Sequence, residues 1–307
     1  MKFEVLIDDE FCKYSLNDEI TPITNKRILS IINDFEDGKW RFQKFQNFIW
    51  NNIKETALSV QERNSLLDEG EDSMLTQAAT KLRLVEDPHD EYNGKGGEIA
   101  EILLYGIMKR HYNALPIVPK IFYKQNKQDF AKGADSVHIV IEGENNFSLW
   151  FGESKFYNSI ENARLQKIVD SVNESLKLDK LKKENSIITN VSDINYISEI
   201  SDELRENIKK TLAQGTSIDL IKPILNIPIL LLHECEITQK TTELTDDYRS
   251  EIRKFHQDRA TRYFEKQLKT CSGIHKYNEI NFHIILFPVF NKKDIEDKFI
   301  EKANSYK

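Results

Sequence analysis

The chain has 307 residues, of which 39% are hydrophobic and 30% charged, and its formal net charge at pH 7 is −7. This length allows a full hydrophobic core in one large domain or two smaller ones, and the composition is ordinary for a soluble globular protein. The acidic balance argues against tight DNA binding by this chain alone, because nonspecific affinity comes largely from phosphate neutralisation by Lys and Arg.

The cysteines and the distribution of apolar residues indicate the cellular compartment of the protein. Cys12, Cys235 and Cys271 lie far apart and lack the spacing of a zinc site, so we expect reduced thiols. The first ten residues carry acids where a signal peptide needs an apolar run, and no apolar stretch approaches the roughly 18 residues of a membrane helix. The sequence therefore predicts a cytoplasmic protein without a membrane segment.

The first 90 residues predict a mainly helical region after one short strand, Lys2–Ile7. Residues 59–82 are polar and acidic, which favours a solvated loop or a mobile helix. Aromatic residues in this region form either a partner-binding or base-stacking surface or, more simply, the packing of a helical subdomain. Two apolar stripes have helical spacing: Ile28, Ile31, Ile32 and Phe35, and then Phe42, Phe45, Phe48, Ile49 and Ile53.

A glycine-rich segment, Glu91–Gly97, leads into a predicted helix, Glu98–His111. Glu98 lies in the first turn, where the helix dipole stabilises an acid, so its presence has a sufficient structural reason. Glu101 lies about one turn later. Leu115–Tyr123 is a predicted strand whose two prolines suit a sheet edge or a strand start. The polar stretch that follows carries three lysines that either contact phosphate or are merely solvated: Lys124, Lys127 and Lys132.

Two apolar runs, Ser136–Glu142 and Phe147–Phe156, are joined by a short Gly-Glu-Asn-Asn turn and predict a β-hairpin. Side chains alternate along a strand, so Glu153 and Lys155 continue one apolar row of the second run. By the same count, Asp135 begins the apolar row of the first run. Two carboxylates and one lysine are therefore predicted to converge at one corner of a sheet.

Such a corner suits phosphodiester chemistry. Two carboxylates a few ångströms apart can hold Mg²⁺, whose remaining positions are filled by water and a substrate phosphate. A neighbouring lysine can orient the attacking water or stabilise charge on the phosphate. The alternative is structural, because cross-strand Glu–Lys pairs are common and stabilise sheets modestly. The position of Asp135 in line with Glu153 and Lys155 favours the catalytic interpretation.

A long helix, Ser159–Glu184, is predicted after the hairpin, with Gln166 in its first turns near the proposed corner. Shorter helices at about residues 190–225 form a predicted insertion before a strand buried on both faces, Ile227–His233. His233 ends this strand and could approach a metal, although a lone histidine at such a position is more often structural.

A basic helix, Asp246–Lys269, is the best candidate surface for nucleic acid. Acids are interleaved with its Arg and Lys residues, so a face of i,i+4 ion pairs is the strong alternative. A strand, Asn281–Phe290, and a short helix, Asp294–Ala303, complete the predicted elements.

The pattern of Asp135, seventeen residues and then Glu-Ser-Lys resembles the D…E-x-K core of the PD-(D/E)xK phosphodiesterase superfamily. The predicted order of helix, three strands, helix and strand is similar to its restriction-endonuclease-like core. We therefore predict an α/β fold with a mixed sheet flanked by helices over residues 91–307, after the helical region 1–90. Related nucleases often carry a Gln-x-x-x-Tyr spacing on the next helix, but residue 170 is Asp, which puts a role for Gln166 in doubt.

Several segments resemble the HamA family, the nuclease-effector subunits of bacterial Hachiman anti-phage defence. They are Gly-Gly-Glu at 96–98, Gly-Ala-Asp at 133–135, the strand at 149–157 and the long insertion before residues 227–232. The resemblance extends over about residues 90–290, and more weakly over the N-terminal part.

This resemblance implies a DNA nuclease that depends on Mg²⁺, with Mn²⁺ as an alternative, and that is controlled by a HamB-like superfamily 2 helicase. It implies that Asp135 and Glu153 hold the metal and that Lys155 positions the attacking hydroxide. It also implies that a glutamate of the helix before the hairpin contributes through a water, for which Glu98 matches best and Glu101 is the rival. Two alternatives stay open. One is a non-catalytic adaptor subunit with a nuclease-like fold, and the other is a stand-alone restriction-type endonuclease.

Overall fold

The computed structural model describes residues 1–8, 24–84, 96–121, 134–190, 194–195, 200–213 and 215–307. The strands are β1 (Glu4–Ile7), β2 (Lys26–Ile32), β3 (Phe35–Glu36), β4 (Lys39–Trp40), β5 (Leu115–Val118), β6 (Ser136–Ile141), β7 (Phe147–Tyr157), β8 (Leu225–Glu234) and β9 (Asn281–Val289). The helices are α1 (Phe42–Trp50), α2 (Ile53–Ala57), α3 (Val60–Ser65), α4 (Glu71–Lys81), α5 (Gly96–His111), α6 (Asn162–Ser175), α7 (Leu178–Asn190), α8 (Asp202–Thr211), α9 (Ile218–Ile221), α10 (Glu236–Gln239), α11 (Asp246–Cys271) and α12 (Lys292–Asn304).

One mixed sheet organises the described residues. Its seven strands follow the order β1-β2-β9-β8-β7-β6-β5. The four central strands, β2, β9, β8 and β7, are parallel, and antiparallel pairs complete both ends. The elements α5, β5, β6, β7, α6 and β8 follow one another in the predicted order of helix, three strands, helix and strand. The predicted α/β class, with a mixed sheet flanked by helices, is confirmed.

Helices cover both sides of this sheet. On one side, which we call the α6 face, α6, α7, α8 and the second half of α11 pack on strand residues such as Leu149 and Ile229. On the other side, the α5 face, α1, α2, α4, α5 and α12 pack on residues such as Trp150 and Leu230. Burial on both faces explains why β8 is a nearly continuous apolar run, as its sequence predicts.

The helical interpretation of the first apolar stripe is wrong. Ile28, Ile31 and Ile32 belong to strand β2, which lies between β1 and β9, and Phe35 begins β3. A strand buried on both faces can carry apolar residues at any position, so its pattern can match helical spacing by chance. The second stripe is helical as predicted, over α1 and the start of α2.

The N-terminal region shares the sheet and the core of the rest of the chain. Strands β1 and β2 extend the central sheet, and α1, α2 and α4 pack in the same core as α5 and β9. The region 1–90 thus supplies two sheet strands in addition to its helices, and its division from residues 91–307 as a separate domain stays a prediction. The predicted boundary near residue 90 lies in 85–95, outside the described residues.

Other predicted elements differ in their bounds. The single helix expected over 159–184 is two helices, α6 and α7, because the buried stripe of α6 ends at Leu176 and Leu178 is exposed. Residues 60–65 and 71–81 are helical, and Ser59 begins the first with a capping box to Glu62. Helices α8 and α9 lie in the predicted insertion. No helix in the described ranges is both long and apolar enough to cross a membrane.

Candidate active site

The β6–β7 hairpin forms as the sequence predicts, and its register sets the site. Ser136 pairs with Gly152, and the N–H of Asp135 donates a 2.7 Å hydrogen bond to the carbonyl of Gly152. Residue 152 must be glycine, because a Cβ there would lie 2.1 Å from Ser136 Oγ and 2.8 Å from Leu104 Cδ2. This pairing brings Asp135 beside Glu153 at the start of β6.

The three predicted side chains of the corner do converge. Lys155 Nζ lies 3.1 Å from Glu153 Oε1 and 3.9 Å from Asp135 Oδ2. Asp135 Oδ2 also accepts hydrogen bonds from the backbone N–H of Ser154 at 2.9 Å and from its hydroxyl at 3.3 Å. Lysine thus bridges two carboxylates from neighbouring strands, as the alternation of side chains predicts.

The site is largely removed from solvent. Glu153 is 8% exposed, and Ser171 of α6 donates a 2.5 Å hydrogen bond to its Oε1. Burial and the negative charge of Asp135 raise the pKa of Glu153, although Lys155 and the Ser171 hydroxyl oppose this shift. Burial and the neighbouring Asp135 thus favour the protonated form of Glu153, and Lys155 and Ser171 favour the carboxylate.

Lys155 keeps its proton. Burial lowers the pKa of this ammonium, but the charges of Asp135 and Glu153 outweigh it, and the pKa lies above its usual value. A lysine of this kind is not a general base at neutral pH. It is a fixed positive charge that can orient an anion or stabilise charge that develops on one.

The donor set fits a hard divalent cation. Two carboxylates and one ammonium leave a net charge of about −1 at the corner when all three are ionised. Carboxylate oxygens are the ligands that Mg²⁺ and Mn²⁺ prefer, and Mg²⁺ usually binds through one or two of them and keeps several waters. In the described ranges, no three His, Cys, Asp or Glu side chains form a metal-binding group, so Asp135 and Glu153 would be the two protein carboxylates here.

The structure does not bring Glu98 to this pair. Its carboxylate accepts hydrogen bonds from the backbone N–H groups of Arg83 at 3.1 Å and Leu84 at 3.0 Å. Helix α5 lies on the opposite face of the sheet from Ser171, which contacts Glu153. The contacts of Glu98 therefore give it a structural task, and its predicted part in metal binding stays a prediction.

Two other predicted candidates also have structural partners. Gln166 donates a 2.9 Å hydrogen bond to Asp170 and is 3.5 Å from the Thr270 hydroxyl. His233 is fully buried, with Nε2 3.2 Å from His256 Nε2 and Nδ1 3.0 Å from the carbonyl of Glu234. Burial lowers the pKa of His233 to about 4, so this ring is neutral at pH 7.

The basic helix α11 is partly neutralised. Asp258 forms ion pairs with both Arg259 and Arg262, and Arg249 pairs with Glu4 and Asp246. These contacts match the ion-pair alternative. Four cations of this helix have no ion pair with the described residues: Arg253, Lys254, Lys266 and Lys269. The loop lysines at 124, 127 and 132 lie outside the described residues.

Sequence reasoning missed the residues that support the corner. Ser171 contacts Glu153 from α6, and Glu184 of α7 contacts the backbone of Ala134, directly before Asp135. The alternation that revealed Asp135 and Glu153 acts within a hairpin. It carries no information about which polar residue of a later helix faces the same strand.

A mixed sheet covered by helices, with Asp, Glu and Lys of a D…E-x-K pattern on one hairpin, defines an α/β protein with a nuclease-like core. A sequence model of the HamA family matches residues 6–303 of the 307-residue chain. The chain therefore belongs to the HamA family, and membership implies a role related to Hachiman anti-phage defence. No curated protein gives a significant match.

Proposed function

We propose that this chain is a metal-dependent DNA nuclease, the effector of a Hachiman defence complex under the control of a partner helicase. The observation that carries the proposal is the convergence of two carboxylates on one lysine across the hairpin: Lys155 Nζ lies 3.1 Å from Glu153 Oε1 and 3.9 Å from Asp135 Oδ2. A Glu–Lys pair that only stabilised a sheet would not need a second buried carboxylate beside it.

Each side chain has a definite task in this proposal. Asp135 and Glu153 hold the cation, with the carbonyl near Ser154 as a candidate further ligand. A bound Mg²⁺ would supply an activated water and a positive charge for the phosphate. Lys155 stays protonated and orients the attacking oxygen towards phosphorus, while Ser171 helps to keep Glu153 ionised by donating to its carboxylate.

The charge distribution supports a division of labour with a partner. The chain is acidic overall, with a net charge of −7, and Asp258 neutralises two of the arginines of its most basic helix. A protein with this balance binds DNA weakly by itself, because phosphate contacts provide most of the nonspecific affinity. A HamB-like superfamily 2 helicase would bring DNA to the site, and the burial of Glu153 is compatible with a site that is closed until then.

Cleavage of supercoiled and linear DNA tests the proposal. The purified chain is assayed with Mg²⁺ or Mn²⁺, first alone and then with the helicase and ATP, beside Asp135→Asn, Glu153→Gln and Lys155→Ala. Lys109→Ala is a matched control, because this lysine pairs with Glu55 away from the hairpin. We expect substrate loss with the wild type and Lys109→Ala, and none with the three site variants. Cleavage at the wild-type rate by any site variant would contradict the proposal.

A non-catalytic adaptor is the second candidate. It is favoured by one observation, the acidic net charge of −7, because a chain with this balance binds DNA weakly by itself. An adaptor would bind the helicase normally but give no substrate loss under any of these conditions. Discrete digestion bands from the chain alone would instead indicate a stand-alone restriction-type endonuclease.

A further inference from the structure

A buried ion pair contacts the backbone of the residue before Asp135. Lys120 Nζ and Glu184 Oε2 are 2.8 Å apart, and their side chains are only 3% and 4% exposed. The second carboxylate oxygen, Glu184 Oε1, accepts a 2.9 Å hydrogen bond from the backbone N–H of Ala134. One side chain of α7 thus contacts both the residue that precedes Asp135 and a lysine that follows β5.

The energetics of burial make a purely stabilising role a weak explanation. The free-energy cost of removing two charges from water offsets most of their mutual attraction. Well-packed apolar residues of similar volume often stabilise a fold as well as a buried ion pair does, or better. The hydrogen bond to Ala134 is a more specific reason for a carboxylate at this position, because a buried N–H without an acceptor is costly.

Two consecutive backbone N–H groups at the start of β6 are fixed by this arrangement. The N–H of Ala134 donates to Glu184, and the N–H of Asp135 donates to the carbonyl of Gly152. The Asp135 carboxylate then accepts from the N–H and hydroxyl of Ser154. Glu184 therefore restrains the backbone from which the Asp135 side chain projects towards Lys155.

Glu184 also faces the space beside Glu153. A cavity of about 280 Å³ between the hairpin and helices α6 and α7 is lined by Glu153 and Glu184, among other residues. Lys120 balances the charge of Glu184. Glu184 can thus serve as a backbone acceptor without adding an uncompensated negative charge next to the Asp135–Glu153 pair.

We infer that Glu184, held by Lys120, is a positioning residue that sets the direction of the Asp135 carboxylate for metal binding. The inference rests on the proposed function, because it gives the pair a task only if Asp135 is a ligand. Outer partners of metal ligands act in this way, and their loss typically lowers metal affinity by about 10- to 100-fold.

Two double variants separate positioning from charge burial. Lys120→Met/Glu184→Gln removes both charges but keeps an amide oxygen that can accept from Ala134, and Lys120→Met/Glu184→Leu removes both charges and the acceptor. If the leucine variant does not fold, Lys120→Met/Glu184→Asn replaces it, because its amide is one methylene shorter. Glu55→Gln is the control for a lost ion pair between helices, because Glu55 of α2 pairs with Lys109 of α5 and with no residue of the hairpin.

The measurements are Mn²⁺ binding by calorimetry and hydrogen exchange of the Ala134 and Asp135 amides in metal-free protein. We expect the leucine or asparagine variant to lose at least about tenfold in Mn²⁺ affinity and to exchange these amides faster. The glutamine variant and Glu55→Gln should bind Mn²⁺ within about threefold of the wild type, because the Ala134 acceptor is retained.

The outcomes distinguish this inference from the proposed function. Wild-type Mn²⁺ affinity in the variant that lacks the acceptor would overturn the inference, provided that Asp135→Asn reduces binding. An equal loss in the glutamine variant would also overturn it, because the charge and not the acceptor would then matter. Mn²⁺ binding that is absent in the wild type, or unchanged by Asp135→Asn, would overturn the proposed metal site and the inference with it.

Discussion

Lys155 and Lys26 are both lysines of the central sheet with little or no exposure to solvent, and their neighbours give them opposite properties. Lys155 lies between two carboxylates, whose charges raise its pKa despite burial. Lys26 is fully buried among neutral groups. It donates to Asn25 Oδ1 at 2.9 Å and to the Tyr277 hydroxyl at 2.8 Å, and its Nζ lies 4.5 Å from the centre of the Tyr277 ring.

The pKa of Lys26 is lowered to about 7, mainly by burial. A lysine without a carboxylate partner can release its proton when it is desolvated, and its aliphatic stem then packs like an apolar residue. Burial alone therefore does not identify a lysine suited to chemistry. The neighbouring acids identify such a lysine, because they keep Lys155 positively charged and able to attract an anion.

The largest expected effect separates metal binding from chemistry at Lys155. We expect Lys155→Met to reduce DNA cleavage by about 100- to 1,000-fold, as loss of one charged or hydrogen-bonding group at a transition state does. Mn²⁺ should bind this variant at least as tightly as the wild type, because a nearby positive charge has been removed. Calorimetry and cleavage rates on the same preparations give both quantities.

Glu153→Gln is the matched variant for that comparison. It should lose Mn²⁺ binding together with cleavage, since it removes a ligand rather than a neighbouring charge. A Lys155→Met protein that loses metal affinity as completely as Glu153→Gln would contradict the separation, and would assign the lysine to holding the two acids together.

The second prediction concerns Lys26 and the pH dependence of stability. The pKa of Lys26 is about 7 in the folded state and about 10.4 in an unfolded chain, so the unfolded state binds more protons between these values. The free energy of unfolding should therefore rise with pH in this window. From pH 7.5 to 9.5, the wild type should gain about 2 kcal/mol relative to Lys26→Met.

Urea unfolding of both proteins at the two pH values measures this difference. A wild-type and variant difference that does not change with pH would show that Lys26 remains charged in the folded state. Lys26 would then carry a positive charge in the folded state, as Lys155 does, although its neighbours are neutral.

The smallest effect is expected at Ser171. Its hydroxyl favours the ionised form of Glu153, so Ser171→Ala should raise the pKa of that carboxyl further. Metal binding needs the carboxylate, and its dependence on pH should shift to higher pH, with a loss of about two- to tenfold in affinity on the acidic side. Mn²⁺ titrations between pH 5.5 and 8 test this, and an unchanged profile would contradict it.

The sequence predicts the β6–β7 hairpin and strand β8 well. Strand alternation placed Asp135 and Glu153 in one row because the hairpin has a short turn and a fixed register. The continuous apolar run of β8 identified a buried central strand for a different reason. Few other structures bury almost every residue of so short a segment.

The parts that were missed depend on contacts distant in the chain. Strand β2 matched a helical pattern because both of its faces are buried, and only pairing with β9 reveals its type. Glu184 and Lys120 are 64 residues apart, and nothing in the local sequence distinguishes Glu184 from the exposed charges of the same helix. Glu98 was expected near the metal from family resemblance, whereas its carboxylate contacts the backbone of residues 83 and 84.

The most direct measurement is DNA cleavage by the chain with the proposed helicase partner, ATP and Mg²⁺, using wild type, Lys155→Met and Lys26→Met. The two substitutions are chemically identical, and each removes a lysine of the sheet that has little or no exposure to solvent. The account predicts that Lys26→Met degrades DNA at close to the wild-type rate and that Lys155→Met does not, while both bind the helicase. Equal cleavage by Lys155→Met and the wild type would contradict the claim that the hairpin corner is the nuclease site.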